Sequence, residues 1–281
     1  MNLTTWNVQW CRGIDGRVDP ARIARTALGI AAFDVLCLQE IAVNFPSLPG
    51  SRGEDQIAEI SALLPGYVAM FGAATDLADG ARGRRQFGNA IFSRLPVLQV
   101  FRHLLPWPAD ATVPSMQRLA LEAVIEAPWG PLRVISTHLE YYSPPQRMAQ
   151  VDGLRRLHEE ACGHALAPRP DTEEAGSPFS PRPRPASALI CGDFNFQPGD
   201  PERARIRAPF ASGAPAFHDA WEVAHPGVPH APTVGIHETS LPRSCFDFVF
   251  VTADLAPRVR MVEVDSATQA SDHQPVLLEL I

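Results

Sequence analysis

The sequence predicts a layered α/β fold in one domain of 281 residues. Short apolar runs typical of buried strands recur along the chain, and amphipathic helical stretches separate several of them. The composition, 46% hydrophobic and 20% charged, is that of a globular protein, and a chain of this length can bury a large core. The apolar run 188–191 leads directly into Gly192-Asp193-Phe194-Asn195. In layered α/β folds ligand sites collect where strands end, so this stretch is the starting point for a site.

In the first quarter of the chain, strands and helices alternate. Residues 2–8 alternate apolar and polar side chains, as a strand with one buried face does. Asp19-Pro20 combines an N-cap with a first-turn proline, so a helix is predicted from there to about Ala32. The apolar run 34–38 predicts a buried central strand. Residues 54–64 carry apolar side chains at helical spacing and stop at a Pro-Gly pair, which predicts a second helix.

The middle of the chain is predicted to consist mainly of strands. Residues 76–88 hold several glycines and arginines and are predicted to form a flexible basic loop. The segment 106–117 is proline-rich and predicted to be irregular. Apolar or alternating runs predict strands over 89–92, 97–105, 119–126 and 132–136, the last two joined by a hairpin turn at Trp129-Gly130.

The last part of the chain contains a long helix and four strands. Ser143-Pro144-Pro145-Gln146 is a capping-box start, and an apolar stripe follows it to about residue 162. The segment 168–186 is rich in prolines and mixed charges, so it is predicted to be a loop insertion within the single domain 1–281. Residues 215–242 are predicted to be irregular. Strands are predicted over 188–191, 246–251, 259–264 and 275–280.

The charged composition excludes several classes of enzyme. All 24 basic residues are arginines, so the chain has no lysine for a P-loop, a kinase site or a pyridoxal phosphate Schiff base. The net charge of −7 argues against a broad basic surface for nucleic acid, although local arginine clusters can still bind it.

The cysteines and the N-terminus indicate a cytoplasmic location. The five cysteines are odd in number and lack CxxC spacing, and Cys37 and Cys191 lie within apolar strands, which favours a reducing compartment. No apolar run is long enough for a transmembrane segment, and the first residues lack the features of a secretory signal.

Polar residues lie at one end of several predicted strands. They are four acids, two amides and two histidines: Asn7, Glu40, His138, Asp193, Asn195, Asp247, Asp272 and His273. A few carboxylates suit Mg²⁺, whereas a set without cysteine and with few histidines is less natural for zinc. An aspartate-held histidine can act as a general base or orient water, and amides can donate to a phosphoryl group. These groups together indicate metal-assisted hydrolysis of a phosphate ester.

Six short motifs occur in a fixed order between residues 5 and 273. They are Thr5-Trp6-Asn7, Leu38-Gln39-Glu40, Ser136-Thr137-His138-Leu139, Gly192-Asp193-Phe194-Asn195, Phe246-Asp247-Phe248 and Ser271-Asp272-His273. This series resembles that of the endonuclease/exonuclease/phosphatase superfamily, which includes DNase I, AP endonucleases, neutral sphingomyelinases, inositol polyphosphate 5-phosphatases and deadenylases. Each motif alone is common, but six in order form a specific pattern.

The resemblance implies a fold and a metal site. The fold is a DNase I-like four-layer α/β sandwich (α+β in some schemes), in which two mixed β-sheets pack face to face with the helices outside. Glu40 would hold the principal Mg²⁺, for which Mn²⁺ could substitute. Asn7 and Asp272 would lie close to the ion.

The resemblance also implies catalytic roles. Asp193 and Asn195 would handle the attacking water and the scissile phosphate. His273, oriented by Asp247, would be a general base or a phosphate contact, and the choice of base between Asp193 and this pair stays open. His138 would contact a phosphate oxygen or assist the leaving group.

One departure from the DNase I-like pattern concerns His138. In those relatives a glutamate supports the corresponding histidine, but the polar candidates in residues 86–93 are Gln86 and Asn89. The role of His138 toward the leaving group is therefore open, whereas its phosphate contact is still expected.

Arginines are weaker candidates for substrate binding. Arg118 and Arg243 could each hold a phosphate with two parallel hydrogen bonds, although such residues more often lie on the surface. Arginines at 82, 84 and 85 could follow a polyanionic substrate, or could belong to a solvated loop. Four loops are predicted to rim the site and select the substrate: 41–53, 76–88, 106–117 and 225–243.

The predicted function is that of a Mg²⁺-dependent phosphoesterase acting on phosphodiester bonds, with an endonuclease/exonuclease-type nuclease as the leading interpretation. A lipid or small-molecule phosphodiesterase or phosphatase is the alternative, since a fold does not fix a substrate. A non-catalytic binding module on the same fold would be expected to lack one of the acids or the last histidine, and none is missing. Nucleic acid is among the expected partners, and no obligate protein partner is indicated.

Each site residue also has a structural explanation when taken alone. Asn7 could be a turn residue, Glu40 a solvated acid and His138 a core histidine. The order of the six motifs is what favours function for the set.

Overall fold

The computed structural model describes residues 1–80, 83–168, 170, 177–237 and 242–281, which form twelve strands and five α-helices. The strands are β1 (Asn2–Asn7), β2 (Val35–Val43), β3 (Val68–Asp79), β4 (Gly83–Ser93), β5 (Val97–Leu104), β6 (Leu119–Ala127), β7 (Gly130–His138), β8 (Ala188–Asp193), β9 (Phe217–Asp219), β10 (Asp247–Thr252), β11 (Val259–Val264) and β12 (Val276–Leu280). The helices are α1 (Pro20–Ile30), α2 (Gln56–Leu63), α3 (Pro144–Leu166), α4 (Pro201–Arg207) and α5 (Ala220–Ala224). None of the helices within these described ranges is long and apolar enough to cross a membrane.

The strands form two mixed sheets of six. The first has the order β11-β12-β1-β2-β4-β3, and the second has the order β5-β6-β7-β8-β10-β9. Each sheet has one parallel pair at its centre, β1 with β2 and β7 with β8, and its other neighbours are antiparallel. The two sheets therefore repeat the same pattern of strand directions.

Three apolar clusters form the core. One lies between the two sheets, and the other two lie between each sheet and its helices, so the molecule has four layers. The facing sides of the two sheets share one apolar cluster that includes Cys37 and Cys191. The other side of the first sheet packs against α1 and α2 through residues such as Ile23 and Ile60. The other side of the second sheet packs against α3 and α4. The predicted four-layer α/β sandwich is confirmed.

Local sequence signals account for the starts of two helices. The Asp19 side chain accepts a hydrogen bond from the backbone N–H of Arg22 at 2.9 Å, as the N-cap prediction required. The Ser143 hydroxyl accepts one from the backbone N–H of Gln146 at 3.4 Å and so caps α3. Helix α1 ends at Ile30, slightly earlier than predicted.

The predicted basic loop at 76–88 was wrong, because residues 76–79 belong to β3 and residues 83–88 belong to β4, and these strands pair with each other. Two ion pairs cross the hairpin, Arg84 with Asp76 at 2.8 Å and Arg85 with Asp79 at 2.6 Å. The charged residues of this segment suggested a loop, but the acids lie on β3 and the arginines on β4. Cross-strand pairs of opposite charge stabilise a sheet. Arg82 lies outside the described residues.

Two further predictions need correction. The strand predicted over 34–38 continues past Glu40 as β2 to Val43. The segment 215–242, expected to be irregular, contains β9 and α5 in its described part. The proline-rich insertion at 168–186 lies partly outside the described residues, and its described portion from 177 to 186 contains no helix or strand.

Candidate active site

The structure brings nine of the ten predicted site residues to one edge of the sandwich. The ends of the two central parallel pairs supply Asn7, Glu40, His138 and Asp193. A cavity of about 570 Å³ opens at this edge. Six predicted residues line it: Glu40, Arg118, His138, Asn195, Asp272 and His273. Asn7, Asp193 and Asp247 lie directly behind them, joined by hydrogen bonds.

Arg243 is the predicted residue that the structure does not bring into the cavity. Its neighbours Pro242 and Ser244 line the cavity, whereas Arg243 is exposed and absent from the lining. Its proposed contact with substrate stays a prediction.

Glu40 reaches the cavity because of an irregularity in β2. The register between β2 and β4 shifts between Leu38 and Ile41, and Glu40 adopts a positive φ of 60° within this shift. A bulge of this kind redirects a side chain, and strained backbone of this kind is often found at functional sites. Burial raises the pKa of Glu40, and the charge of Asp272 adds to the rise, although a hydrogen bond from Asn7 opposes it.

Close contact between β7 and β8 sets the position of Asp193. Gly192 has a φ of 134°, and a Cβ added there would lie 2.0 Å from the backbone oxygen of Thr137. Only glycine fits this approach, which places His138 beside Asp193 in the parallel register.

Asn7 links the metal-ligand candidate Glu40 to Asp193. Its amide nitrogen donates to Glu40 Oε1 at 3.0 Å and to Asp193 Oδ2 at 2.9 Å. Its own oxygen accepts from the backbone N–H of Gln9 at 3.1 Å, which fixes the orientation of the amide. The buried Asn7 side chain is therefore a donor held between two carboxylates.

His138 lies between the same two carboxylates. Its Nδ1 is 3.8 Å from Glu40 Oε1, and its Nε2 is 3.4 Å from Asp193 Oδ2. Burial lowers the pKa of His138 well below its ordinary value, and the positive charges of Arg118 and His273 add to this. The structure therefore favours a neutral imidazole at this position.

His273 is held by Asp247 on one side and faces Asp193 on the other. Its Nδ1 is 2.9 Å from Asp247 Oδ2, and its Nε2 is 3.7 Å from Asp193 Oδ2. Burial lowers the pKa of His273, but the carboxylates of Asp247 and Asp193 outweigh it and raise the pKa well above the ordinary value. Burial raises the pKa of Asp193 to about 7, with the charge of His273 opposing the rise and that of Asp247 adding to it.

Asn195 and Asp272 complete the site. Asn195 has a positive φ of 51°, donates its backbone N–H to Asp193 Oδ1 at 2.9 Å and donates its side chain to the Leu139 carbonyl at 2.9 Å. Asp272 accepts from Gln9 Nε2 at 2.5 Å and from the Ser271 hydroxyl at 3.1 Å.

The residues present fit a divalent cation. One ligand atom from each of Glu40, His138 and Asp193 lies within 4.8 Å of the others, and Asp193, Asp247 and His273 form a second such group. Burial raises the pKa of Glu40 and the negative charge of Asp272 adds to the rise, so a bound cation would stabilise the charged form of this carboxylate. The set is rich in oxygen donors, which is the preference of Mg²⁺.

The polar candidates for supporting His138 have other partners. Asn89 donates to the carbonyls of Leu119 at 3.0 Å and Ser136 at 3.4 Å, and so joins the two sheets. Gln86 donates to Asp76 on the hairpin. The acids that face His138 are instead Glu40 and Asp193.

The sequence analysis missed four residues at the site. Gln9 binds Asp272, and Tyr141 and Tyr142 line the cavity. Glu140 is completely buried and accepts a hydrogen bond from Arg118. For these four residues the sequence offers one indication, which is that an acid, Glu140, directly follows His138-Leu139. If such an acid is buried, its carboxylate requires partners.

Three of the four segments predicted to rim the site contribute residues to the cavity, although 76–88 does so from β4. Phe87, Met116 and Val234 come from the segments 76–88, 106–117 and 225–243. The segment 41–53 contributes no lining residue in the described part of the chain, and the turn after β7 contributes the tyrosines instead.

Comparison with known proteins identifies the family. The model of the endonuclease/exonuclease/phosphatase family matches residues 4–273, so the chain belongs to this family, and the resemblance noted in the sequence is confirmed. No curated protein matches the chain.

Solved structures support the same fold. An endonuclease/exonuclease/phosphatase from Beutenbergia cavernae is 25% identical, with a TM-score of 0.66, over 100% of this chain and 71% of that one. A mannosyl-6-phosphatase of Bacteroides thetaiotaomicron is 18% identical, with a TM-score of 0.67, over 100% of this chain and 99% of that one. A 3′ phosphatase from Neisseria, solved with a product DNA hairpin, is 19% identical, with a TM-score of 0.62, over 100% of this chain and 99% of that one.

Proposed function

We propose that this protein is a Mg²⁺-dependent hydrolase of phosphate esters, with Mn²⁺ as a substitute ion. The observation that carries the proposal is the group formed by Glu40, His138, Asp193 and His273, whose facing atoms approach within 4 Å at the inner end of a cavity. A metal ion bound by Glu40, with Asn7 and Asp272 nearby, would polarise the phosphoryl group and stabilise developing negative charge.

Asp193 is the group that we propose accepts a proton from the attacking water. It is the common neighbour of the other site residues, since Asn7 contacts it and both histidines face it. His273, held by Asp247, would then contact a phosphate oxygen. His138 and Asn195 would contact the remaining oxygens.

The substrate is a separate question from the reaction. The nuclease interpretation is supported by the family and by the name of the Neisseria relative, a 3′ phosphatase with bound DNA. The alternative, a small-molecule phosphatase, is supported by the name of the Bacteroides relative, a mannosyl-6-phosphatase. The structure contributes an observation that favours the alternative, which is the paired state of the hairpin arginines Arg84 and Arg85.

The reaction is tested with bis-p-nitrophenyl phosphate and p-nitrophenyl phosphate, each with and without Mg²⁺. We expect release of p-nitrophenol only with the metal, and a loss of at least about 100-fold in Glu40→Ala. Glu263→Ala is the matched control, because Glu263 is an exposed strand acid away from the cavity. Equal release by the wild type and Glu40→Ala at saturating Mg²⁺ would reject the proposal.

A further inference from the structure

The turn that follows β7 contains a buried acid that neither the motifs nor the proposed reaction uses. Glu140 is completely buried, and both of its carboxylate oxygens are bonded. Oε2 accepts from Arg118 Nε at 3.3 Å, and Oε1 accepts from the backbone N–H of Tyr142 at 2.9 Å. One carboxylate thus joins the arginine of the cavity to the turn that carries the tyrosines.

The backbone of Glu140 is fixed as firmly as its side chain. Its N–H donates to Gln150 Oε1 at 2.8 Å, and its carbonyl accepts from Arg147 Nη1 at 3.0 Å. The same Arg147 nitrogen donates to the Tyr141 carbonyl at 3.0 Å, and Arg147 Nε is held by Glu202 at 3.1 Å. The carboxylate of Glu140 is therefore positioned by α3 and α4 before any substrate is present.

The geometry leaves Arg118 available to an anion. Arg118 is 7% exposed and lines the cavity, and its Nε–H is committed to Glu140. In the described part of the chain this is the only hydrogen bond that the guanidinium makes, so its two terminal nitrogens are free to donate. A planar guanidinium fixed through Nε presents those nitrogens in the orientation that holds a phosphate bidentately.

The basic residues that line the cavity are one arginine, Arg118, and the two histidines of the site. The chain has no lysine, and Arg118 is the only arginine among the described lining residues. A strand of nucleic acid is bound through several phosphates, each neutralised by a cation. One arginine and His273 beside the metal site are instead suited to one phosphate group.

The outer wall of the cavity is aromatic. Tyr141 and Tyr142 are 49% and 55% exposed and pack edge-to-face at 4.8 Å between ring centroids. Phe87, Met116 and Phe246 line the cavity with them. Exposed aromatic rings beside a phosphate site favour a ligand whose organic part is apolar or planar.

We propose that Glu140 is a positioning residue that aligns both Arg118 and the Tyr141–Tyr142 pair, so that the site selects small phosphate esters with a planar or apolar organic group. This inference rests on the proposed function and specifies its substrate class. Glu140 acts through its neighbours and does not itself touch the substrate.

The test compares Glu140→Gln with Arg118→Gln and with a matched control. In Glu140→Gln one oxygen remains, which can hold Arg118 or the Tyr142 N–H but not both. Asp219→Asn is the control, because Asp219 is a buried acid paired with Arg203 and lies outside the cavity lining. The measurements are melting temperature, kcat and KM for phenyl phosphate and glycerol phosphate, and the Kd of inorganic phosphate by calorimetry with Mg²⁺.

We expect Glu140→Gln to raise the Kd of phosphate and the KM for phenyl phosphate about tenfold, with a much smaller change in kcat. Arg118→Gln should weaken phosphate binding by about 100-fold, and Tyr141→Ala with Tyr142→Ala should reduce the preference for phenyl over glycerol phosphate about tenfold. Asp219→Asn should lower the melting temperature without changing the Kd of phosphate.

The outcomes separate this inference from the proposed function. Unchanged phosphate binding in Glu140→Gln, together with a melting temperature as low as that of the control, would show a purely structural role and overturn the positioning proposal. Cleavage of plasmid or single-stranded RNA with a higher kcat/KM than phenyl phosphate would overturn the substrate class. Phosphate binding that depends on Glu140 and Arg118, in a wild type that hydrolyses none of these esters, would instead refute the proposed function and leave the positioning role in place.

Discussion

The Asp247–His273 pair is the part of the site where charge, burial and geometry give the clearest prediction. The two side chains meet at 2.9 Å, with Asp247 completely buried and His273 11% exposed at the cavity. Asp247 Oδ1 is buried without a hydrogen-bond partner in the described structure, so the Oδ2 bond to His273 is the main compensation for the carboxylate. We therefore expect Asp247→Asn to alter both activity and stability.

The expected loss of activity is large. The carboxylate holds the Nδ1 side of the His273 ring, which fixes the direction in which Nε2 points toward Asp193. Proton transfer or phosphate contact by a positioned group contributes about 10²–10⁴-fold to a rate, and Asp247→Asn should lower kcat by an amount in that range. The assay is hydrolysis of p-nitrophenyl phosphate at saturating Mg²⁺.

The expected loss of stability depends on pH. Removing one partner of a buried ion pair costs about 3–5 kcal/mol. The pKa of His273 is raised in the folded protein, so the stabilisation is fully present below the ordinary histidine value and is lost as the pH rises through the folded value. The difference in unfolding free energy between wild type and Asp247→Asn should therefore be larger at pH 6 than at pH 10, as measured by urea denaturation.

Asp76→Asn is the matched control for this experiment. Asp76 also pairs with a basic side chain, Arg84, but the pair is exposed on the hairpin, so solvent screens it and the substitution should change stability little. If Asp247→Asn retained kcat within about threefold of the wild type, with a stability difference independent of pH, the reasoning about the pair would be refuted.

Three further predictions use other parts of the molecule. Glu40→Gln should raise the Mg²⁺ concentration for half-maximal activity at least about tenfold and abolish thermal stabilisation by Mg²⁺. The reason is that a cation would stabilise the charged form of Glu40, whose pKa is raised by burial and by the Asp272 charge. Unchanged metal dependence would contradict the assignment. Burial and the charge of Arg133 lower the pKa of His158 to about 4, so the wild type should lose about 3 kcal/mol of stability as the pH falls from 6.5 to 4. In urea titrations, His158→Gln should lose less stability over the same interval. Gly192→Ala should cost about 3 kcal/mol or more in thermal unfolding, because its Cβ would collide with the Thr137 carbonyl, whereas Gly199→Ala, where space is open, should be nearly neutral.

Most of the site could be predicted because it lies at strand ends, which a sequence marks clearly. An apolar run followed by an acid or a histidine identifies both the strand and the candidate, as for His138 and Asp193. Arg118 lies in the cavity as predicted, whereas Arg243 is exposed beside it. Two arginines near strands look alike in sequence, and only the fold determines which one finds a buried carboxylate.

The hairpin and Glu140 could not be predicted for a related reason. The segment 76–88 has the glycines and charges of a loop, and only pairing of β3 with β4 reveals that its charges neutralise one another across the strands. Glu140 follows a strand as an ordinary turn acid would, and its partner Arg118 lies 22 residues earlier in the chain. Contacts between distant segments depend on topology, which periodicity does not encode.

The common pattern of the two sheets explains why strand starts and strand ends meet in one cavity. The central parallel pairs bring their carboxyl ends to one edge, with Asn7 and Glu40 on one sheet and His138 and Asp193 on the other. A strand that is antiparallel to such a pair must begin at that edge, and the register places Asp247, the first residue of β10, directly opposite Asp193.

The same reasoning applies to the last motif. Strand β12 is antiparallel to β1, with Val276 opposite Thr5, so the residues just before β12 lie beside the end of β1. That position gives His273 its contact with Asp247, which comes from the other sheet. A motif that precedes one strand and a motif that follows its antiparallel neighbour therefore lie at the same edge of a sheet. This geometry explains why motifs far apart along the chain belong to one site.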